Sequence, residues 1–201
     1  MANQEHLAAI KQGVEAWNQW YQDHRRVVPD LEKANLSNLN LSGINLQRAN
    51  LKGANFGNTN LTKAQLIGTN LLGANFLSAN LEEANLKGAN LDYAIFSLAK
   101  INSKTIISTK HRNVWEIVND KAEDKNLNGA DLRNTNLFRA NLCKSDLSHA
   151  KLENANLNSA NLNNAYLFKA DLANANLQNA DLRNAYLSQA NLTKASLSGA
   201  Q

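Results

Sequence analysis

Between residues 143 and 149 the chain places Cys143, Asp146, Ser148 and His149. These are the residue types from which a hydrolase is assembled: a nucleophile, a base and a carboxylate to orient the base. Such a set works only in a cleft that excludes water and aims donors at a developing oxyanion. Here the flanking residues repeat a short polar motif and offer no oxyanion donors, so all four are expected on a flat, solvated wall. Cys143 has no evident cluster of pKa-lowering groups and reads as an ordinary exposed thiol. The histidines, His6, His24, His111 and His149, are scattered without metal-ligand spacing, and there is no glycine-rich phosphate loop. The chain is therefore read as a non-enzyme, with no cofactor, no metal and no evident small-molecule substrate.

A recurring Asn or Asp has chemistry of a different kind. It precedes a large apolar residue again and again, and a column of such side chains can bind ions or imitate a phosphate backbone. The simpler role is local, because Asn and Asp side chains bond backbone groups in turns.

Those residues are positioned by a pattern that covers most of the chain. From Leu127 to Leu197 a leucine stands at every fifth residue, and from Leu31 to Ile101 a Leu, Phe or Ile does the same. Two residues before each centre is a small residue, usually Ala; the two after it are mostly polar. A helix turns through about 500° in five residues, so the centres would drift by about 140° each and face all sides. In a strand an odd period sends successive centres to opposite faces. A chain that turns a corner every five residues resolves this, and four corners close a square coil of 20 residues. Phe56, Phe76 and Phe96 are the phenylalanine centres of the first array and lie 20 apart, as aromatics stacked in successive coils would. Leu127, Leu147, Leu167 and Leu187 form the matching core ladder in the second array. Tyr166 and Tyr186 share the same spacing just before a centre.

The A(D/N)LXX pattern resembles the pentapeptide-repeat family. The resemblance implies an all-β solenoid, a right-handed quadrilateral parallel β-helix, with the centre and the small residue two before it pointing inward. It also brings an alternative function, since members that bind DNA gyrase imitate DNA through shape and acidic surface. This chain carries a net charge of +4 and no acidic stripe, which disfavours a DNA-mimicking binder of a type II topoisomerase.

Four segments are expected. Residues 1–28 form an N-terminal helical cap, read as one amphipathic helix over 4–22 with Leu7, Ile10, Val14, Trp17 and Trp20 on one face. Residues 29–106 are the first array, with Ile106 as its last centre. Residues 107–125 are a helical insertion, looped out while the second array restacks on the first; Thr109 is its cap, Val114, Ile117 and Val118 are its apolar face, and Trp115 is an anchor. Its WEIVN stretch resembles interruptions in cyanobacterial members of the family. Residues 126–201 are the second array. Leu39 and Ile44 replace the small residue and predict a wider or less regular first coil.

Rigid walls with few distinctive outward side chains point to a protein-interaction scaffold whose partner is unknown. Tyr166, Phe168 and Tyr186 on one wall of the second array are the candidate surface. Open strand edges in the C-terminal coils predict a homodimer there. Nucleic acid is disfavoured, because His24, Arg25 and Arg26 are the only tight basic cluster. No apolar run approaches the roughly 20 residues of a membrane span, and the N-terminus lacks a signal-peptide core. With a single cysteine, the expected setting is the cytoplasm.

Overall fold

The computed structural model describes residues 2–119 and 122–201. The chain divides into two units, Met1–Ser108 and Thr109–Gln201. Both are β-solenoids built on the same coil. The paired residues lie five apart along the chain and bridge in parallel to a residue 20 further on, as in Asp30 with Asn50 and Asn126 with Asp146.

The corner explains the period. The N–H three residues after each centre donates back to the centre's carbonyl, as Ala34 does to Leu31 at 3.0 Å. The residue before that donor adopts left-handed backbone: Lys33 at φ 58°, Asn58 at 56°, Gly73 at 65°. This conformation costs a non-glycine residue about 1 kcal/mol, and Gly or Asn occupies many of these positions. Where the residue before a centre is Asn or Asp, its side chain commonly completes the corner, because Oδ1 accepts the N–H two residues on, as Asn75 does from Leu77 at 3.0 Å. Successive coils then exchange backbone bonds, with Leu31 N donating to Asn50 O and Asn50 N to Pro29 O, each at 2.8 Å.

Each coil's interior holds its centres and small residues. Phe56, Phe76 and Phe96 stack with centroids 5.2 and 5.6 Å apart and planes within 9°. In the second unit Leu127, Leu147 and Leu167 are buried. Leu187 departs from expectation: it is only half-buried, like Leu182 and Leu192, because no described coil lies above it. The first coil keeps an even ladder despite its large residues. Ile44 is fully buried and Leu39 partly exposed, while Leu36 and Leu41 donate to the next coil at 2.8 Å.

The cap is two helices, not one: α1 (Gln4–Lys11) and α2 (Val14–Asp23). Gly13 separates them at φ 110°, a conformation that ordinary side chains rarely adopt. The heptad-like apolar spacing runs through the break, which is why it reads as continuous. Ile10 and Trp17 are buried; Leu7, Val14 and Trp20 are half-buried.

The end of the first array also differs. Ile106 is not a centre: it bridges to Asn85 and is 50% exposed. One extra residue has entered between Lys100 and Ile106, and buried Thr105 fills the small slot, its hydroxyl donating to Leu81 O at 3.0 Å. The one-residue change of register between the arrays therefore occurs before the helix. That helix, α3 (Thr109–Val118), begins at Thr109 and buries Val114 and Ile117, with Val118 and Trp115 half-buried. Residues 120 and 121 of the expected insertion lie outside the described residues.

Where Asp replaces Asn the side-chain ladder loses a donor. Asn161 Nδ2 reaches Asn141 Oδ1 at 3.1 Å, but Asp181, the next rung, has no N–H to offer. Arg183 instead clamps the Asp181 carboxylate from two residues away, at 2.9 and 2.7 Å. Arg133 treats Asp131 likewise, at 2.9 Å for both contacts. The hydrogen bonds from these arginine side chains hold each carboxyl at about 2, against an ordinary 3.8.

Replacing Phe76 by Ala removes the middle of a three-ring stack and is expected to cost about 3–5 kcal/mol. Phe76→Leu, which keeps most of the volume, should cost under about 1.5 kcal/mol; urea denaturation of both variants measures the difference. The depressed carboxyls stabilise the fold fully above the unfolded value and lose that effect as pH falls through the folded value. An NMR titration should therefore place the Asp181 midpoint at about 2 and move it back toward 3.8 in Arg183→Gln. An unchanged midpoint in the variant would show that the clamp is not the cause.

Candidate functional site

The second unit carries one column of paired residues that runs Asn126, Asp146, Tyr166, Tyr186. Coil stacking fixes their spacing, so the two phenol rings lie face to face with centroids 4.9 Å apart and planes within 4°. Tyr166 is 49% exposed and Tyr186 58%. They form one side of a groove of about 360 Å³ completed by Asp124, Lys144 and Asn164. Lys144 also faces Glu123 at 3.9 Å.

Phe168 stands two residues beyond Tyr166 at the next corner. His149 meets its ring edge-on at 5.6 Å, and the Lys169 ammonium lies 5.1 Å from its centroid. Phe168 is thus partly covered, by a cation on one side and an imidazole on another. The wall therefore offers an aromatic surface with cationic and carboxylate groups at its margin.

The hydrolase constellation does not assemble. Asp146 Oδ1 accepts the Ser148 N–H at 2.9 Å, the ordinary corner bond, and Oδ2 accepts from Asn128 at 3.3 Å. The Ser148 backbone bond is the main cause that lowers the Asp146 pKa. His149 turns to Phe168, and among the described residues no hydrogen bond joins it to Ser148. Cys143 is half-buried, with its N–H on Asn141 Oδ1 at 3.3 Å. His6 and His111 are buried, and His24 and His149 are exposed, so the histidines do not converge. Among the described residues no group of three or more His, Cys, Asp or Glu side chains is arranged to hold a metal, and no helix is long and apolar enough to cross a membrane.

Several surface residues escaped the sequence reading. Asp124, Lys144 and Asn164 fall 20 apart in one corner column, the same signal that pairs the tyrosines. Phe138 is 44% exposed beneath the Arg139 guanidinium, whose carbon lies 5.0 Å from the ring centroid. In the first unit Leu77 and Leu98 also face outward, at 42% and 68% exposure.

Comparison with known proteins gives a consistent family. Eight copies of the pattern described as pentapeptide repeats match, over residues 30–64, 59–97, 126–164, 135–172 and 170–201. The chain is 35% identical to HetL, a pentapeptide repeat protein involved in heterocyst differentiation regulation from the cyanobacterium Nostoc sp. strain PCC 7120. That alignment covers 86% of this chain and 71% of HetL, with a TM-score of 0.40. A pentapeptide repeat protein of the Arabidopsis thaliana thylakoid lumen is also 35% identical, over 39% of this chain and 55% of that one, with a TM-score of 0.39. Full-length QnrB1, a plasmid-mediated fluoroquinolone resistance protein, is 18% identical over 86% of this chain and 78% of its own, with a TM-score of 0.28. No curated protein matches. With its repeats matched over well more than half its length, and with the coil geometry those repeats produce, the chain belongs to the pentapeptide repeat family.

Proposed function

We propose that this protein is a non-enzymatic interaction scaffold, and that the wall bearing Tyr166, Phe168 and Tyr186 selects its partner. The observation that carries this reading is the coplanar tyrosine pair, half exposed beside a groove with Lys144 and Asp124. Both rings are held by backbone ladders, so a partner meets a surface that loses little freedom on binding, the condition under which aromatic side chains act as anchors. The coil itself we take to be right-handed and four-sided, with four paired positions in each 20-residue turn. We take α3 as a helical insertion between the two arrays; the lone Cys143 is why we take the cytoplasm as the setting.

The topoisomerase-directed alternative has little to rest on. Asp131 and Asp181 are each paired with an arginine two residues on, which removes two carboxylates from any acidic surface of the second array.

A second copy is the partner we propose for the C-terminal coils, where Leu197 is 43% exposed and Leu187 and Leu192 are half-buried. Sedimentation over a hundredfold concentration range should then give a dimer that Leu197→Lys dissociates; a monomer throughout would remove this part of the reading.

The wall is tested by capture from the host's lysate with wild type and with Tyr166→Ser, Phe168→Ser, Tyr186→Ser combined. A protein held by wild type and lost by the variant is the expected result, with far-ultraviolet circular dichroism confirming an intact coil. Equal retention by both would place the partner on another surface.

A further inference from the structure

The paired residues of the first coil are Asp30, Asn35, Asn40 and Asn45. Inside the array such a residue has a coil on each side. Asn55 donates its N–H to Ala34 O at 2.9 Å, accepts from Leu36 N at 2.8 Å, and its Nδ2 reaches Asn35 Oδ1 at 3.2 Å. Asn60 repeats this with Leu39 O at 3.0 Å, Leu41 N at 2.8 Å and Asn40 Oδ1 at 3.0 Å. The first coil lacks the preceding coil that would supply these groups, and an open strand edge seeks substitutes.

The cap supplies them at two of the four positions. At Asp30 the carbonyl accepts Asn3 N–H and the N–H donates to His6 Nδ1, both at 3.0 Å. At Asn45 the carbonyl accepts Trp17 Nε1–H at 2.7 Å and the N–H donates to Asn18 Oδ1 at 2.8 Å. Asn18 and Tyr21 extend the cover to the carbonyls of Gly43 and Gln47, at 3.1 and 3.0 Å. The Asn3 amide and the side chains of His6, Trp17 and Asn18 thus supply, at Asp30 and Asn45, the backbone partners that a preceding coil gives.

Asn35 and Asn40 receive no such cover. Both are exposed, and among the described residues neither their backbone N–H and C=O groups nor their Nδ2 donors have a partner. Two adjacent sides of the coil are closed by α1 and α2, and two are left as an open parallel edge.

We propose that the Asn35–Asn40 edge docks an extended segment of a partner protein, taken up as two further parallel bridges. The interior ladder fixes the chemistry of that segment. It presents an Asn or Asp at each paired position, a free carbonyl just before it and a free N–H just after it. The motif repeats five residues later, with a small or polar residue third after the first paired residue to turn the corner, as Ser159 does at φ 58°. Beyond Asn40 a groove of about 330 Å³, lined by Gln12, Gly13, Val14, Glu15, Asn40 and Ser42, receives the residue third after the second paired position. The Glu15 carboxylate there favours a lysine or arginine.

The probe is a fluorescein-labelled peptide, ANLNSANLNK, which copies residues 155–163 of this chain and ends in lysine. Titrated with the full chain, its anisotropy should rise to saturation. Methylating both leucine nitrogens should weaken binding at least tenfold, since it deletes the donors to Asn35 O and Asn40 O. The double variant Asn35→Pro, Asn40→Pro should do the same, because it removes two N–H groups that the fold itself does not use. Should that variant fail to fold, amide exchange in wild type keeps the test open: the Asn35 and Asn40 amides should slow at least tenfold on adding peptide. No anisotropy change, equal binding of the methylated peptide, or unaltered exchange at these two amides would overturn the proposal. So would self-association without peptide that the double variant abolishes, since the occupant is then a second copy.

Discussion

Both units depend on the left-handed corner. A residue near φ +60° two places after a centre, as at Lys63 and Asn164, bends the chain sharply enough that paired residues recur every five and meet their partners 20 residues on. Without that bend, residue i would not lie under residue i+20. The backbone ladder, the Asn ladder, the phenylalanine stack and the paired tyrosines all require that superposition. Every corner that is not Gly or Asn pays a small conformational penalty, offset by the bonds that closure makes available to the coils on either side.

The superposition makes the interior exacting and the exterior permissive. A centre must fill the space between its neighbours above and below, so Leu and Phe recur there and Ala recurs in the small slot. Where the chain breaks the rule, the disturbance is contained. The added residue before Ile106 is absorbed by one loop, with Thr105 satisfying its hydroxyl against Leu81 O. Outward positions face no such test. Their side chains still stack at the coil spacing, and any column can become a distinctive surface without disturbing the core. Tyr166 and Tyr186 are such a column, and the Asp–Arg clamps at Asp131 and Asp181 are another use of the same freedom.

A ladder that satisfies its own backbone in the middle leaves donors and acceptors at its ends. The first coil handles this unevenly. Trp17, Asn18, Tyr21, His6 and Asn3 cover the Asp30 and Asn45 positions with bonds that imitate a coil, while Asn35 and Asn40 remain open among the described residues. The break at Gly13 belongs to the same solution, because α1 is tied to Asp30 while α2 reaches across to Asn45 and Gln47. A single straight helix would have a fixed direction along both segments.

The local repeat already contained the coil. A period of five, a small residue two before each centre and phenylalanines 20 apart were enough to read the 20-residue turn, because in a stacked repeat each residue's environment is set by its neighbours at fixed sequence distance. Spacing also exposed the tyrosine pair, and the same 20-residue interval relates Asp124, Lys144 and Asn164. Tertiary structure decided what the period does not encode. The apolar spacing of residues 4–22 is the same in one helix or two, so the left-handed Gly13 was invisible to it. Ile106 has the residue type of a centre, and only the bridge to Asn85 showed that an inserted residue had moved it outward. His149 stands one residue from Ser148 in the chain, yet it packs on Phe168, since alternation between corner and wall separates sequence neighbours while stacking joins residues a coil apart. Which edges of the first coil are closed and which stay open is settled in the same way, by where two short helices come to rest on it.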